Sequence, residues 1–175
     1  MTDLAAWLED GYPQSVRTAY LILGNRLDAE DAVQEAFLRA WKFRDALQQE
    51  ASFKPWLYRV VVNACNSKLR KEIPHRDHRG EAAGLESVAV DDTSNRIELS
   101  HDVRRALGDL PVHLRVVIVL RYYADLSERE IAVAISRKPG TVKSRLNEAR
   151  RRLALNPALS DVSPRHTSHD EKETG

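Results

Sequence analysis

The sequence predicts an all-α protein: two small helical domains joined by a flexible linker, the second containing a helix-turn-helix. Three observations predict it. From about Asp3 to Lys71 apolar residues recur at helical spacing, and no stretch alternates as a half-buried strand does. Between Ile73 and Ser100 that pattern dissolves into Pro74, His75, Gly80, Gly84, Asp91, Asp92 and Thr93. It resumes near Ile97, and the stretch from Leu126 to Leu146 then reads as two short helices around a tight turn. The expected bounds are a first domain at 1–73, a linker at 74–100, a second domain at 101–155 and a disordered tail at 156–175. The tail begins at Asn156-Pro157, passes Ser163-Pro164 and ends in the polar run Asp170-Glu171-Lys172-Glu173.

In the first domain Val33, Ala36, Phe37, Ala40 and Trp41 form an apolar stripe, which reads as core packing. The opposite face carries Glu30, Asp31, Gln34, Glu35 and Arg39. The helix from Phe53 to Lys71 interleaves Trp56 and Tyr58 with Arg59, Asn63, Lys68 and Arg70. Aromatic rings stack on unpaired bases while cations follow phosphates, so such a helix suits single-stranded DNA. Trp56 and Leu57 taken alone read as core.

In the second domain, helical signal runs to Leu107, pauses at Leu110-Pro111 and continues through Val116, Val117, Leu120 and Tyr123. Ser127 and Glu130 have the spacing of a capping box, in which each side chain satisfies the other residue's backbone amide. Pro139 suits the first turn of the next helix, where its missing donor costs nothing. Val142, Leu146, Ala149 and Leu153 then recur on one face, leaving Thr141, Lys143, Ser144, Arg145 and Asn147 outward. That is the build of a helix that enters a DNA major groove, with Lys143, Ser144 and Asn147 towards the bases and Arg137, Lys138, Arg150 and Arg151 towards phosphates.

Charge supports the same division. Lys and Arg number 27 against 26 Asp and Glu, a net +1, yet the charges are segregated. Basic residues cluster around 59–79 and 137–152, whereas Asp28, Glu30, Asp31 and Glu35 gather in one acidic patch. Two contacts with nucleic acid and one with a basic protein surface would account for this; solvated helix faces would also.

Other classes have little support. Cys65 is the single cysteine, so an intramolecular disulfide is impossible and a reducing cytoplasm is expected. Among apolar neighbours on a helix, it reads as a packed thiol. The N-terminus lacks a basic stretch followed by an apolar core, and the longest apolar run, Val116 to Leu120, is too short to span a bilayer, so no direct membrane insertion is expected. His75 and His78 have no Cys or carboxylate cluster to complete a metal site. With no glycine-rich phosphate loop, nucleophile elbow or hydrolase motif, no catalytic residue, metal or cofactor is expected.

Taken together, residues 3 to 155 resemble the extracytoplasmic-function (ECF) class of bacterial sigma factors, in the sigma-70 family. The run from Asp28 to Trp41 is similar to the helix that docks on the clamp helices of core RNA polymerase. The resemblance places Asp31, Gln34, Glu35 and Arg39 against that polymerase. Trp56-Leu57-Tyr58-Arg59 with Asn63 is similar to the part that melts the minus-ten element and captures a flipped base. By that match Asn63 and the loop before Trp56 read the base, while Arg59, Lys68 and Arg70 hold the strand. Leu110 to Leu153 resembles the domain that reads the minus-thirty-five element as duplex. Glu81, Glu86, Asp91 and Asp92 are similar to the acidic connector that threads the polymerase cleft. The resemblance further implies promoter DNA, duplex and single-stranded, and an anti-sigma factor as partners.

Three positions depart from the family pattern. Ser136 stands where the turn usually has glycine, Glu148 where the recognition helix commonly has a basic residue, and Ser67 where many members have aspartate. A carboxylate at 148 repels phosphate but accepts from a cytosine amino group. Two rival readings remain: a self-sufficient helix-turn-helix regulator that binds duplex DNA without polymerase, and an interaction module that occupies polymerase without reading DNA.

Overall fold

A computed structural model describes residues 4–43, 53–76 and 100–159. Among these are seven helices, one short 3₁₀ turn and no strand: α1 (Leu4–Leu23), α2 (Arg26–Lys42), α3 (Phe53–Arg76), α4 (His101–Gly108), α5 (Val112–Tyr122), α6 (Glu128–Ala134), α7 (Pro139–Ala154) and the turn Pro157–Leu159. The all-α expectation is met.

Gly24 ends α1 with φ 78°, a left-handed conformation that costs glycine nothing, and its N–H donates to the Tyr20 carbonyl at 2.7 Å. Asn25 then caps α2, its side-chain oxygen accepting from the Asp28 amide at 3.0 Å. The buried stripe of α2 consists of Ala29, Ala32, Val33, Ala36 and Ala40. Such small side chains let the helix lie close to both α1 and α3. From α3 come Leu57, Tyr58, Val61, Val62, Ala64 and Cys65, all buried. Burial pushes the Cys65 thiol up to about 12, so it packs as a neutral group, as expected.

In the second domain α5 buries Val116, Val117, Ile118, Val119 and Leu120 in succession. A helix buried on all sides needs partners on all sides. It packs on α6 and α7 within its own domain and on α1 of the first. A second contact joins α3 to α6. Gln14 Nε2 donates to the Tyr123 carbonyl at 2.6 Å, and Arg115 donates to the Ile22 carbonyl at 2.8 Å while holding the carbonyls of Gly108 at 2.6 Å and Leu110 at 3.0 Å. The buried residues of the two domains therefore form one continuous apolar cluster.

α3 continues through Pro74 to Arg76, past the boundary set at residue 73. Asn156, the first residue of the expected tail, donates to Asp109 Oδ2 at 3.1 Å and accepts from the Ala158 amide at 2.9 Å, anchoring the 3₁₀ turn. The rest of the expected linker (77–99) and tail (160–175), with His78 and the acidic residues at 81, 86, 91 and 92, lies outside the described residues. No helix among the described residues is long and apolar enough to cross a membrane.

Candidate nucleic-acid interface

The helix-turn-helix begins at Ser127. Its hydroxyl accepts from the Glu130 amide at 3.3 Å and Glu130 Oε2 accepts from the Ser127 amide at 2.8 Å, completing the capping box. These bonds from Ser127 hold the Glu130 carboxyl below the usual range. At the other end of α6 the Arg137 amide donates to the Ala132 carbonyl at 2.9 Å and the Ser136 amide to the Val133 carbonyl at 3.2 Å. This is a Schellman closure, and it puts Ser136 at φ 51°. Glycine adopts that conformation freely, whereas an L side chain costs roughly 1–2 kcal/mol there. Ser136→Gly is expected to stabilise the protein by about 1 kcal/mol, raising Tm by roughly 2–4 °C in a calorimetric scan.

Pro139 occupies the first turn of α7, and Val142, Leu146 and Ala149 are fully buried beneath it. Lys143, Ser144, Asn147, Arg150 and Arg151 are exposed, with Thr141 and Arg145 half-buried at the edges of the face. Arg137 and Lys138, both exposed, line an open concavity at the elbow with Arg129, Val133 and Thr141. Arg129 comes from α6 and adds a cation that the sequence reading did not single out.

Two pairings order this face. Arg150 Nε donates to the Tyr122 hydroxyl at 2.8 Å with its guanidinium 5.8 Å from the ring centre, and Arg150 Nη1 donates to Asn147 Oδ1 at 3.1 Å. Tyr122, on α5, thus braces Arg150 directly and Asn147 through it, and was missed by the sequence reading. Glu148 accepts from Arg151 at 2.7 and 3.0 Å and from Arg152 at 2.7 Å. Arg152 and then Arg151 lower its pKa. The departure at 148 is therefore a carboxylate paired on its own helix with two arginines.

On α3 the expected strand-holding residues divide. Asn63, Ser67, Arg70 and Lys71 are exposed and Arg59 is half-buried. Ser67 donates back to the Asn63 carbonyl at 2.9 Å. The aromatic residues behave otherwise than a stacking platform requires. Tyr58 is 3% exposed and Leu57 fully buried, while Trp56 packs on the core and stacks on Phe53 at 6.0 Å. Burial raises the Tyr58 pKa against the opposing hydrogen bonds with Thr18 and Ser15. Tyr58 supplies core volume, so the outer face of α3 offers amide and cationic groups rather than rings.

Lys68 does not stand on that open face. Its ammonium hydrogen-bonds Asp31 and lies 3.4 Å from Asp28 Oδ1, bridging α3 to α2. The bond and charge of Lys68 lower the Asp31 pKa, and Asp31 in turn raises that of Lys68.

On α2, Asp31, Gln34, Glu35 and Arg39 are all exposed, and Arg39 Nη2 donates to Glu35 Oε1 at 2.6 Å. Trp41, read as core, is 50% exposed and Leu38 is 71% exposed. The reason is geometric: Trp41 lies eight residues from Val33, at the margin of the buried stripe, while Gln34, Leu38 and Trp41 share a face at i, i+4 and i+7. With Tyr12 and Phe37 they line an open apolar groove beside the acidic patch. Spacing alone could have found this groove. Among the described residues no group of three or more potential metal ligands comes together.

Comparison with known proteins places the chain in a family. Residues 8–73 match Sigma-70 region 2 and residues 100–153 match Sigma-70, region 4. The chain is similar to ECF RNA polymerase sigma factor SigW of Bacillus subtilis, 33% identical over 172 residues and covering 91% of each chain. It is also similar to ECF RNA polymerase sigma-E factor of Escherichia coli K12, 37% identical over 134 residues and 70% of each. Among solved structures it resembles the sigma factor RpoE of Bartonella quintana in complex with the anti-sigma factor NepR, with a TM-score of 0.75 and 27% identity. That match covers 93% of this chain and 100% of the other. The ordered pair of regions, the length of the likeness and the shared fold make this chain a member of the sigma-70 family, an ECF-class sigma factor of RNA polymerase.

Proposed function

We propose that the chain binds core RNA polymerase through the outer face of α2, reads upstream promoter duplex with α7 and holds the displaced strand on the outer face of α3. The observation that carries this reading is the outward placement of all three surfaces: Asp31, Gln34, Glu35 and Arg39 on α2, Asn63 and Arg70 on α3, and Lys143, Ser144 and Asn147 on α7. Leu38 and Trp41 add apolar area to the first surface. Lys143, Ser144 and Asn147 meet base edges, and Arg137, Lys138, Arg150 and Arg151 meet phosphates. Thr141 and Arg145 flank them. Arg59, Asn63 and Arg70 take the strand, joined by Lys68 once it leaves its carboxylates. Glu148 anchors Arg151 and Arg152 instead of reading a base.

Opening a promoter unpairs bases at a cost of a few kcal/mol, which capture of the unstacked strand offsets. The protein needs no catalytic residue or cofactor for this; bond formation belongs to the polymerase. It works in the cytoplasm, and an anti-sigma factor binds it, as the complex of its RpoE relative with the anti-sigma factor NepR supports. Asn63→Ala tests the reading. With core polymerase bound, the variant is expected to retain duplex binding and lose roughly 10–100-fold in promoter opening, measured as permanganate reactivity of unpaired thymines, since a base contact contributes about 1–3 kcal/mol. Opening equal to wild type would remove Asn63 from the role. Tight, specific duplex binding without polymerase would favour the self-sufficient regulator.

A further inference from the structure

We propose that Lys68 is a latch between polymerase docking and strand capture: in the free chain Asp31 and Asp28 hold its ammonium, and a basic polymerase surface arriving at Asp31 releases it to the DNA strand. This rests on the docking and strand-capture roles of α2 and α3 given above. The geometry carries it. Lys68 is 37 residues from Asp31 and 40 from Asp28 in sequence, and the two contacts join the docking helix directly to the strand helix. The side chain of Lys68 is only 21% exposed, whereas that of Asp31 is 71% exposed. The carboxylate is therefore open to a partner while the ammonium sits behind it.

A cation arriving at Asp31 shares the carboxylate and places a like charge beside Lys68, and both effects weaken its hold. Asp28 remains at 3.4 Å but is one carboxylate in place of two. Lys71, also on α3 and three residues beyond Lys68, lies close enough to act on Asp31 through its charge, so the released ammonium has a second cation beside it on the same helix. The flexible four-carbon stem of lysine permits the swing. Linkage makes the effect reciprocal: whatever occupies Asp31 tightens strand binding, and whatever withdraws Lys68 tightens docking, by the same factor.

The test uses the full chain and a fluorescent single-stranded DNA of mixed sequence at low salt, with thermal melting to establish that each variant folds. Asp31→Asn is expected to raise strand affinity about threefold to fivefold, the upper part of the range for an exposed ion pair. Glu30→Gln, which removes the same charge from the same helix but contacts Arg26 rather than Lys68, should give clearly less. In a Lys68→Met background the Asp31→Asn gain should vanish, whereas Lys68→Arg, which keeps the charge, should preserve it. Reciprocally, Lys68→Met should bind core polymerase more tightly than Lys71→Met does. Equal effects of Asp31→Asn and Glu30→Gln, or a gain that persists without Lys68, would overturn the latch. Arg70→Ala separates the two levels. If it weakens strand binding while Asp31 and Lys68 act additively, the latch alone fails; if it leaves strand binding unchanged, the strand-capture role fails and the latch with it.

Discussion

Leu146→Ala is expected to cost roughly 2–5 kcal/mol of folding stability, the range for removing a fully buried leucine when the surroundings cannot collapse into the space. Leu146 is 0% exposed on the inner side of α7, opposite the exposed Lys143, Ser144 and Asn147 proposed to read DNA. Against a total of about 5–15 kcal/mol for a domain, this is a large fraction. Its consequence for function is indirect: the variant should lose duplex affinity at the upstream element although residue 146 contacts no DNA. Because both domains contribute to one apolar cluster, with α1 on α5 and α3 on α6, the loss should also loosen the first domain. Urea unfolding followed by circular dichroism checks the stability, and duplex binding measured below the unfolding midpoint checks the function. A drop in stability confined to the second domain would mean that the domain contacts contribute little.

The second large effect is at the proposed docking face of α2. Glu35→Lys is expected to weaken binding of core polymerase about 100-fold or more, because placing like charges across an interface costs several kcal/mol. The fold should be nearly unaffected. Glu35 is 52% exposed and its pair with Arg39 is an i,i+4 surface contact, worth about 0.2–0.5 kcal/mol. Co-elution with polymerase and a melting curve on the same preparation separate the two effects. Unchanged co-elution would move the docking surface away from α2, leaving the apolar groove at Leu38 and Trp41 without its acidic border.

The helix-turn-helix was the most legible part of the chain, because local rules specify it. The Ser127–Glu130 box, Pro139 in the first turn and the stripe Val142, Leu146, Ala149 appear in the structure as the spacing requires. Even the departure at Ser136 was visible, and its positive φ is what that position demands of glycine elsewhere. What sequence pattern hid was long range. The ion pairs of Lys68 span 37 and 40 residues, and nothing near residue 68 announces them. Tyr122 bracing Arg150 crosses from α5 to α7, 28 residues away.

The packing of the domains left one trace that periodicity could not interpret. Five successive apolar residues, Val116 to Leu120, are too many for a helix with one solvated face, and all five are buried because α1 of the other domain covers the side that α6 and α7 leave open. On α3 the error ran the other way. Tyr58 was read with the bases because aromatic and basic residues alternate there, but its burial places it inside. Composition gave the chemistry of that helix, and only the packing decided which of its residues face outward.

Run-off transcription from a randomised promoter library, with purified core RNA polymerase in the presence and absence of this chain, tests the account most directly. Start sites that appear only with the protein, and share an upstream and a downstream element at fixed spacing, are the predicted result, and they should disappear with Glu35→Lys. No protein-dependent start sites, from a chain that is folded and co-elutes with polymerase, would contradict the account.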